Sequence, residues 1–460
     1  MNEMARLVIL GGGESGFGTA VLAKKAGHKV FLSDSGKIAD KYRKALEDEG
    51  VEFEEGGHSE ERILCADEVV KSPGIPDTAP LIVKLRDRGI PVISEIEFAA
   101  RYTNAKFVCI TGSNGKTTTT TLTYNIFKEG CYDVGLAGNI GDSLAYQVAK
   151  ADHEWYVVEL SSFQLDGMEE FKADIAVLMN ITPDHLDRYG YDMQRYADSK
   201  MRIIQNQEYD DWFVYCADDP VTGAQLERRE LQMRTLPFTV KGREELMERY
   251  GHQNAKWQGA HMAGDDFCAV VGDRSFAMPL SDLKIKGVHN TYDAMAAVLA
   301  AMAAGVHDNA IRKALTNFGG VEHRLEPAGE IDGVAYVNDS KATNTDAVWY
   351  ALDSMVRPTV WIAGGTDKGN DYDTLKGLVG EKVKALVCMG VDNAKLLKAF
   401  DGVVPVIRDT HSLEEAMSAA REEASEGDVV LLSPACASFD LFRNYEDRGR
   451  QFKQWVENHK

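Results

Sequence analysis

The strongest chemical signal in the 460-residue sequence is Thr111-Gly112-Ser113-Asn114-Gly115-Lys116-Thr117-Thr118. It follows the apolar run Phe107-Val108-Cys109-Ile110 and opens a Thr-rich segment with helical spacing at Leu122, Ile126 and Phe127. A glycine loop between a strand and a helix start gathers backbone N–H groups and the positive end of the helix around an anion. Lys116 adds a mobile cation, and the Thr117 hydroxyl can hold a magnesium ion. Two residues separate Gly112 from Gly115, where the standard pattern has four. The bland alternative is an ordinary glycine turn before a helix; the context favours ATP.

Other residues of reactive type sit at the ends of apolar runs. Glu159 closes one of them and is followed by Ser161-Ser162-Phe163-Gln164. A carboxylate at a strand end beside a phosphate loop is placed to bind magnesium, although an isolated glutamate is more often half of a buried ion pair. The run Ile175-Ala176-Val177-Leu178-Met179 delivers Asn180 and then Asp184-His185-Leu186-Asp187, a cluster suited to a metal or a phosphate. Gly138-Asn139-Ile140-Gly141 is a loop offering one amide side chain. Lys200, on a helix expected over 193–204, reads from the pattern alone as a solvated lysine. Near the start, Gly11-Gly12-Gly13-Glu14-Ser15-Gly16 has the G-x-G-x-x-G spacing, with Asp34 closing the next strand-like run. Such a turn brings backbone up to a diphosphate and sets a carboxylate against a sugar or base. UDP suits it as well as NAD does. Lys71-Ser72-Pro73-Gly74-Ile75-Pro76 is a second turn able to line the same crevice.

Those side chains need a scaffold that puts strand ends together. Residues 1–104 alternate strand-like and helical patterns; 105–320 hold the phosphate loop, two hairpin turns near Gly264 and Gly272, and an alanine-rich helix over 291–304. After the Phe318-Gly319-Gly320 break come strand-like runs at 334–338, 358–363, 384–389, 403–407 and 428–433, separated by helical patterns. Polar blocks close three of them: 338–344, 364–368 and 433–439, where open α/β sheets bind ligands. The expected fold is α/β in three domains, 1–104, 105–320 and 321–460. Apolar residues make up 44% of the chain and charged residues 27%, as in a well-packed globular protein. A net charge of −21 argues against a nucleic-acid partner. Seven scattered cysteines without Cys-x-x-Cys spacing point to reduced thiols. The apolar run 7–10 is too short for a signal peptide or a membrane span, so a cytoplasmic location is expected.

Taken together, these blocks resemble the Mur ligase family, the ATP-dependent amino-acid ligases of peptidoglycan precursor synthesis. The resemblance runs from the first glycine loop to Arg450, and its most specific pieces are 111–118, 180–189, His323-Arg324, 338–344 and 433–438. It implies a UDP-binding Rossmann-like N-terminal domain, a central P-loop ATPase domain with a mostly parallel sheet, and a Rossmann-like C-terminal domain that docks an amino acid. The block 338–344 points to the D-glutamate-adding branch, with UDP-MurNAc-L-Ala, D-glutamate and ATP as substrates.

Several roles follow from the resemblance alone. Asp34 would contact the uracil, with Ser15, Ser35 and Ser72 nearby; Gly36 stands where relatives often carry a basic residue. Asn139, Ser161 and Gln164 would hold the muramoyl end. Gly112, Ser113, Asn114, Gly115, Lys116, Thr117 and Thr118 would cradle ATP, which Asn290, Arg324 and Asp339 would also reach; Asp293 stands where relatives often have Asn. Thr117 and Glu159 would ligate one magnesium ion, and His185 and Lys200 a second, with Lys200 as a carbamate. Carbamate formation needs a neutral amine, hence surroundings that lower the pKa of Lys200, and this reverses the solvated-lysine reading. Lys116, Glu159, His185 and Lys200 form the implied catalytic set. Lys341, Thr343, Lys368, Ser438 and Phe439 would hold the carboxylates of D-glutamate, and Tyr445 occupies a position that is Phe in some relatives. No nucleic-acid or membrane partner is expected, and the protein is expected to act as a monomer. Two rivals stand beside this reading. One is a Mur-type or folylpolyglutamate-type ligase for another amino acid. The other is a nicotinamide dehydrogenase or binding module using the N-terminal fingerprint only, against which the phosphate loop argues.

Overall fold

The computed structural model describes residues 5–250, 257–367 and 369–460. It contains two compact units, one made of Met1–Lys286 with Asn290–Phe318, the other of Gly287–His289 with Gly319–Lys460.

The first unit carries two sheets. Strands β1 (Arg6–Leu10), β2 (Lys29–Asp34), β3 (Glu52–Glu55), β4 (Glu68–Lys71) and β5 (Val92–Ile93) form a parallel sheet in the order β3-β2-β1-β4-β5. The larger sheet contains β6 (Lys106–Thr111), β7 (Val134–Gly138), β8 (Trp155–Glu159), β9 (Ile175–Leu178), β10 (Trp212–Cys216), β11 (Arg234–Gly242), β12 (Gly259–Ala263), β13 (Asp266–Val271) and β14 (Arg274–Pro279). Its order is β14-β13-β12-β11-β10-β9-β6-β8-β7, parallel from β7 through β12 and antiparallel beyond. The second unit holds β15 (Glu326–Ile331), β16 (Val334–Asn338), β17 (Thr359–Ala363), β18 (Val383–Met389), β19 (Val406–Thr410) and β20 (Val429–Leu432) in the order β15-β16-β20-β17-β18-β19. Only the β15–β16 pair there is antiparallel.

Parallel strands covered by helices on both faces must be apolar at successive positions. Val108, Cys109 and Ile110 of β6 and Val360, Trp361 and Ile362 of β17 are all fully buried. This is why the sequence runs were legible as strands. The turns at Gly264 and Gly272 lie between β12, β13 and β14, as expected. Strand β15 escaped the pattern because Pro327 and Gly329 interrupt it. It is an edge strand whose register shifts between those two residues, and an edge tolerates both. The helix expected over 193–204 ends at Met201 and tightens into a 3-10 turn at Arg202–Ile204. No helix among the described residues is long and apolar enough to cross a membrane.

Candidate active site

The phosphate loop connects β6 to the helix Lys116–Glu129. Gly115 is the N-cap at φ +81° and offers no side chain, so the first-turn N–H groups stay free of a side-chain cap. Gly112 has φ +150°, and a Cβ there would lie 2.9 Å from the Cβ of Met179. The loop is braced by the residues that leave β9. The Asn114 N–H donates to Asn180 Oδ1 at 2.9 Å, and Asn180 Nδ2 donates back to the Asn114 carbonyl at 3.2 Å. The Ser113 hydroxyl donates to the Thr182 carbonyl at 2.7 Å and lies 3.0 Å from the hydroxyl of Tyr196. Lys116 Nζ folds back onto the carbonyls of Gly112 and Ser113, 2.8 Å from each.

Glu159 reaches this loop through the sheet. It ends β8, whose Cα partner across the β6 ladder is Ile110, and the Thr111 hydroxyl donates to the next carbonyl, that of Leu160, at 2.7 Å. One Glu159 oxygen accepts from Asn139 Nδ2 at 2.8 Å. The other is buried without a hydrogen-bond partner among the described residues, and a buried carboxylate oxygen left unpaired is costly unless a cation completes it. Lys200 enters from the helix Met193–Met201, one turn after Tyr196. It is only 2% exposed, and its Nζ lies 2.9 Å from the Gly112 carbonyl and 3.2 Å from Thr111 Oγ1. Burial, then the charge of Lys116, hold its pKa well below the usual lysine range against the pull of Asp184 and Glu159. The solvated-lysine reading is therefore corrected. Its periodicity could not show that the helix faces inward at this position.

His185 sits at φ +53° just before the 3-10 turn Leu186–Tyr189, its Nε2 3.7 Å from Asp184 and its ring 5.2 Å from that of Phe163. Thr117 is buried at the start of its helix. The donor set suits a hard divalent cation: an orphaned carboxylate oxygen, a buried hydroxyl, an imidazole and a buried lysine whose pKa is lowered.

At the first glycine loop, Asp34 ends β2 and uses both oxygens locally. Oδ2 accepts from the Gly12 N–H at 2.6 Å and Oδ1 from the Gly36 N–H at 2.7 Å. Its first task is to shape the loop. Ser72 abuts the same loop, since a Cβ on Gly11 would lie 2.3 Å from its hydroxyl; Ser35 is exposed. Ser15 and Gln164 line one small cleft together with Lys71, Glu95 and Phe163, so residues 149 apart in sequence share a surface. Ser161 and Gln164 also make a capping box on the helix Ser162–Leu165. Glu95 carried no sequence signal. It is buried, accepts from Ser143 Oγ at 2.8 Å and the Ala145 N–H at 2.7 Å, and burial pushes its carboxyl up to about 7.

In the second unit, Arg324 has a buried Nε without a hydrogen-bond partner among the described residues. Asp339 is buried, bonded to the Leu325 N–H and Ser433 Oγ, and pushed up to about 6 by burial. Lys341 lies over the Tyr445 ring at 5.3 Å, Ser438 is buried, Thr343 is half-buried, and Phe439 is 71% exposed. Lys368 lies outside the described residues. Asn290 belongs to the first unit, where its Nδ2 donates to the Lys286 carbonyl at 2.7 Å. Asn180 and Thr182, inside the block 180–189 singled out above, and Tyr196 brace the loop, a role that no local pattern signals. Tyr196 was within reach of the sequence, since it sits on the Lys200 face of one helix.

A strand-borne phosphate loop with a magnesium-suited acid and a buried lysine beside it defines the class: a nucleoside-triphosphate-using α/β enzyme. Family comparison makes this specific. The MurD N-terminal domain matches residues 6–80, the Mur ligase middle domain 110–301, and the Mur ligase, glutamate ligase domain 323–436. The chain belongs to the Mur ligase family. It is 51% identical over 453 residues to the UDP-N-acetylmuramoylalanine--D-glutamate ligase of Christiangramia forsetii, covering 98% of this chain and 99% of the relative. The ligase of the same name from Bacteroides fragilis is 52% identical over 455 residues, with the same coverage. Among solved structures, the pseudomurein peptide ligase type C of Methanothermus fervidus aligns over 99% of this chain and all of its own at a TM-score of 0.61 and 19% identity, a likeness of fold.

Proposed function

We propose that this protein joins D-glutamate to UDP-N-acetylmuramoyl-L-alanine at the expense of ATP, releasing ADP and phosphate. The observation that carries the reading is the convergence of Lys116, Lys200 and Glu159 on one phosphate loop, in a chain about half identical throughout to ligases of that name. A carboxylate is a poor electrophile, so it must be activated before an amine can attack. The free carboxylate of the UDP-sugar substrate takes the terminal phosphoryl group of ATP, giving an acyl phosphate and ADP. The D-glutamate amine then adds to the acyl carbon, the tetrahedral intermediate loses a proton and expels phosphate, and an amide remains.

Lys116 leaves its loop carbonyls for the phosphates and offsets charge where anionic groups meet. The uncapped N-terminus of its helix holds the same group. Magnesium would supply further charge neutralisation, with Thr117 and Glu159 holding one ion and His185 and a carbamate on Lys200 a second. Ser15, Ser72, Asn139 and Gln164 orient the UDP-sugar, Arg324 receives ATP, and Lys341, Thr343 and Ser438 receive the amino acid. We assign 1–104, 105–320 and 321–460 to UDP-sugar, ATP and amino acid respectively, in a cytoplasmic monomer. The test is phosphate release with single omissions. Release requires ATP, UDP-MurNAc-L-Ala and D-glutamate together, and L-alanine or diaminopimelate does not replace D-glutamate. ATP turnover that is equal without the UDP-sugar would overturn the acyl-phosphate route.

A further inference from the structure

Arg448, on the helix Tyr445–Asn458, is completely buried, yet among the described residues all four of its hydrogen bonds go to neutral oxygens. Nε donates to the Ser340 hydroxyl at 3.0 Å and Nη2 to the Ser340 carbonyl at 2.8 Å. The same Nη2 reaches the Cys436 carbonyl at 3.2 Å, and Nη1 the Gly364 carbonyl at 3.4 Å. Ser340, Gly364 and Cys436 belong to three different loops, the ones that close β16, β17 and β20. The Ser340 hydroxyl donates in turn to the Tyr445 carbonyl at 2.7 Å, tying the first loop to the start of the helix. The next residue, Gly449, lies so close to His323 that a Cβ would fall 2.3 Å from Nδ1, so no side chain fits between the helix and the His323-Arg324 segment.

We propose that Arg448 is a positioning residue for the amino-acid site, holding the three loops in register and leaving behind them a positive charge that the substrate's two carboxylates neutralise. This rests on the amino-acid-binding reading of Lys341, Thr343 and Ser438. A buried charge bonded only to neutral groups is costly to keep, and a structural clamp alone needs donors, not charge. Cys436, Asp440 and Asp339 feel the guanidinium only through space, and burial lowers its pKa to about 10, so it stays a cation at neutral pH. The planar fork bonds several carbonyls at fixed angles, which a lysine ammonium cannot do.

The experiment measures KM for D-glutamate, ATP and UDP-MurNAc-L-Ala, with melting temperature, in Arg448→Met, Arg448→Lys and Ser340→Ala. KM for D-glutamate is expected to rise about tenfold or more in Arg448→Met and about threefold in the other two, while the other KM values stay within about twofold. If Arg448→Met does not fold, the remaining pair carries the test. A uniform rise in all three KM values, or a change in melting temperature alone, overturns the proposal. Failure of the wild-type protein to use D-glutamate would instead remove the substrate reading, and the clamp would be tested with the amino acid that triggers phosphate release.

Discussion

Replacing Asn180 by alanine isolates the brace on the phosphate loop. The side chain makes two hydrogen bonds to Asn114, accepting from its N–H at 2.9 Å and donating to its carbonyl at 3.2 Å, while the Ser113 N–H continues to donate to the Asn180 carbonyl. Each such bond contributes about 1 kcal/mol net, and a partly buried N–H left unpaired adds to the loss. The loop conformation should therefore weaken by about 2 kcal/mol. If that conformation is the one that receives the triphosphate, the whole loss appears in catalysis, and each 1.36 kcal/mol is about tenfold. The expected result is a roughly 30-fold fall in kcat/KM for ATP, measured by ADP release, with KM for the UDP-sugar little changed. Asn180→Asp keeps one acceptor but sets a negative charge against the phosphates, and should lose more. A fall in kcat/KM for ATP of less than about threefold in Asn180→Ala would refute the idea that Asn180 holds the loop ready.

Other outcomes follow from the same geometry. Lys116→Ala should abolish amide formation while calorimetric binding of UDP-MurNAc-L-Ala stays within about twofold, because Lys116 Nζ bonds the Gly112 and Ser113 carbonyls of the phosphate loop. Lys200, whose pKa burial and Lys116 lower, should give a carbamate carbon signal under labelled carbon dioxide that Lys200→Arg lacks; a wild-type protein without that signal would remove the carbamate proposed as a metal ligand. Glu95 has its carboxyl raised from 4.5 to about 7, so the folded state binds the extra proton. Its contribution favours folding most below pH 4.5 and is lost as pH rises to about 7, an effect of about 3 kcal/mol at most. Glu95→Gln keeps an acceptor for Ser143 and Ala145, so denaturant stability between pH 5 and 8 should be flatter than in the wild type; parallel curves would contradict the assignment.

Much of the site was legible because it is local. Thr111 to Thr118 lie between an apolar run and a helical pattern, and the fold makes them strand, loop and helix start. The runs near 334, 359, 384 and 429 are strands because parallel sheets buried on both faces demand unbroken apolar stretches. Glu159 could be placed at a strand end without knowing which strand lay beside it.

What sequence determined, then, was the kind of element at each position and the order of reactive residues along the chain, both set by chemistry over a few neighbours. The tertiary structure alone decided which faces are closed to water and which distant groups meet. Lys200 is buried, with its pKa lowered, because a helix 89 residues beyond Thr111 turns it onto the loop. Asp34 spends its carboxylate on Gly12 and Gly36, Glu159 keeps one oxygen unpaired, and Arg448 is buried under three loops from different strands. Burial and pairing are properties of contacts between remote segments, and periodicity along a single segment carries no record of them.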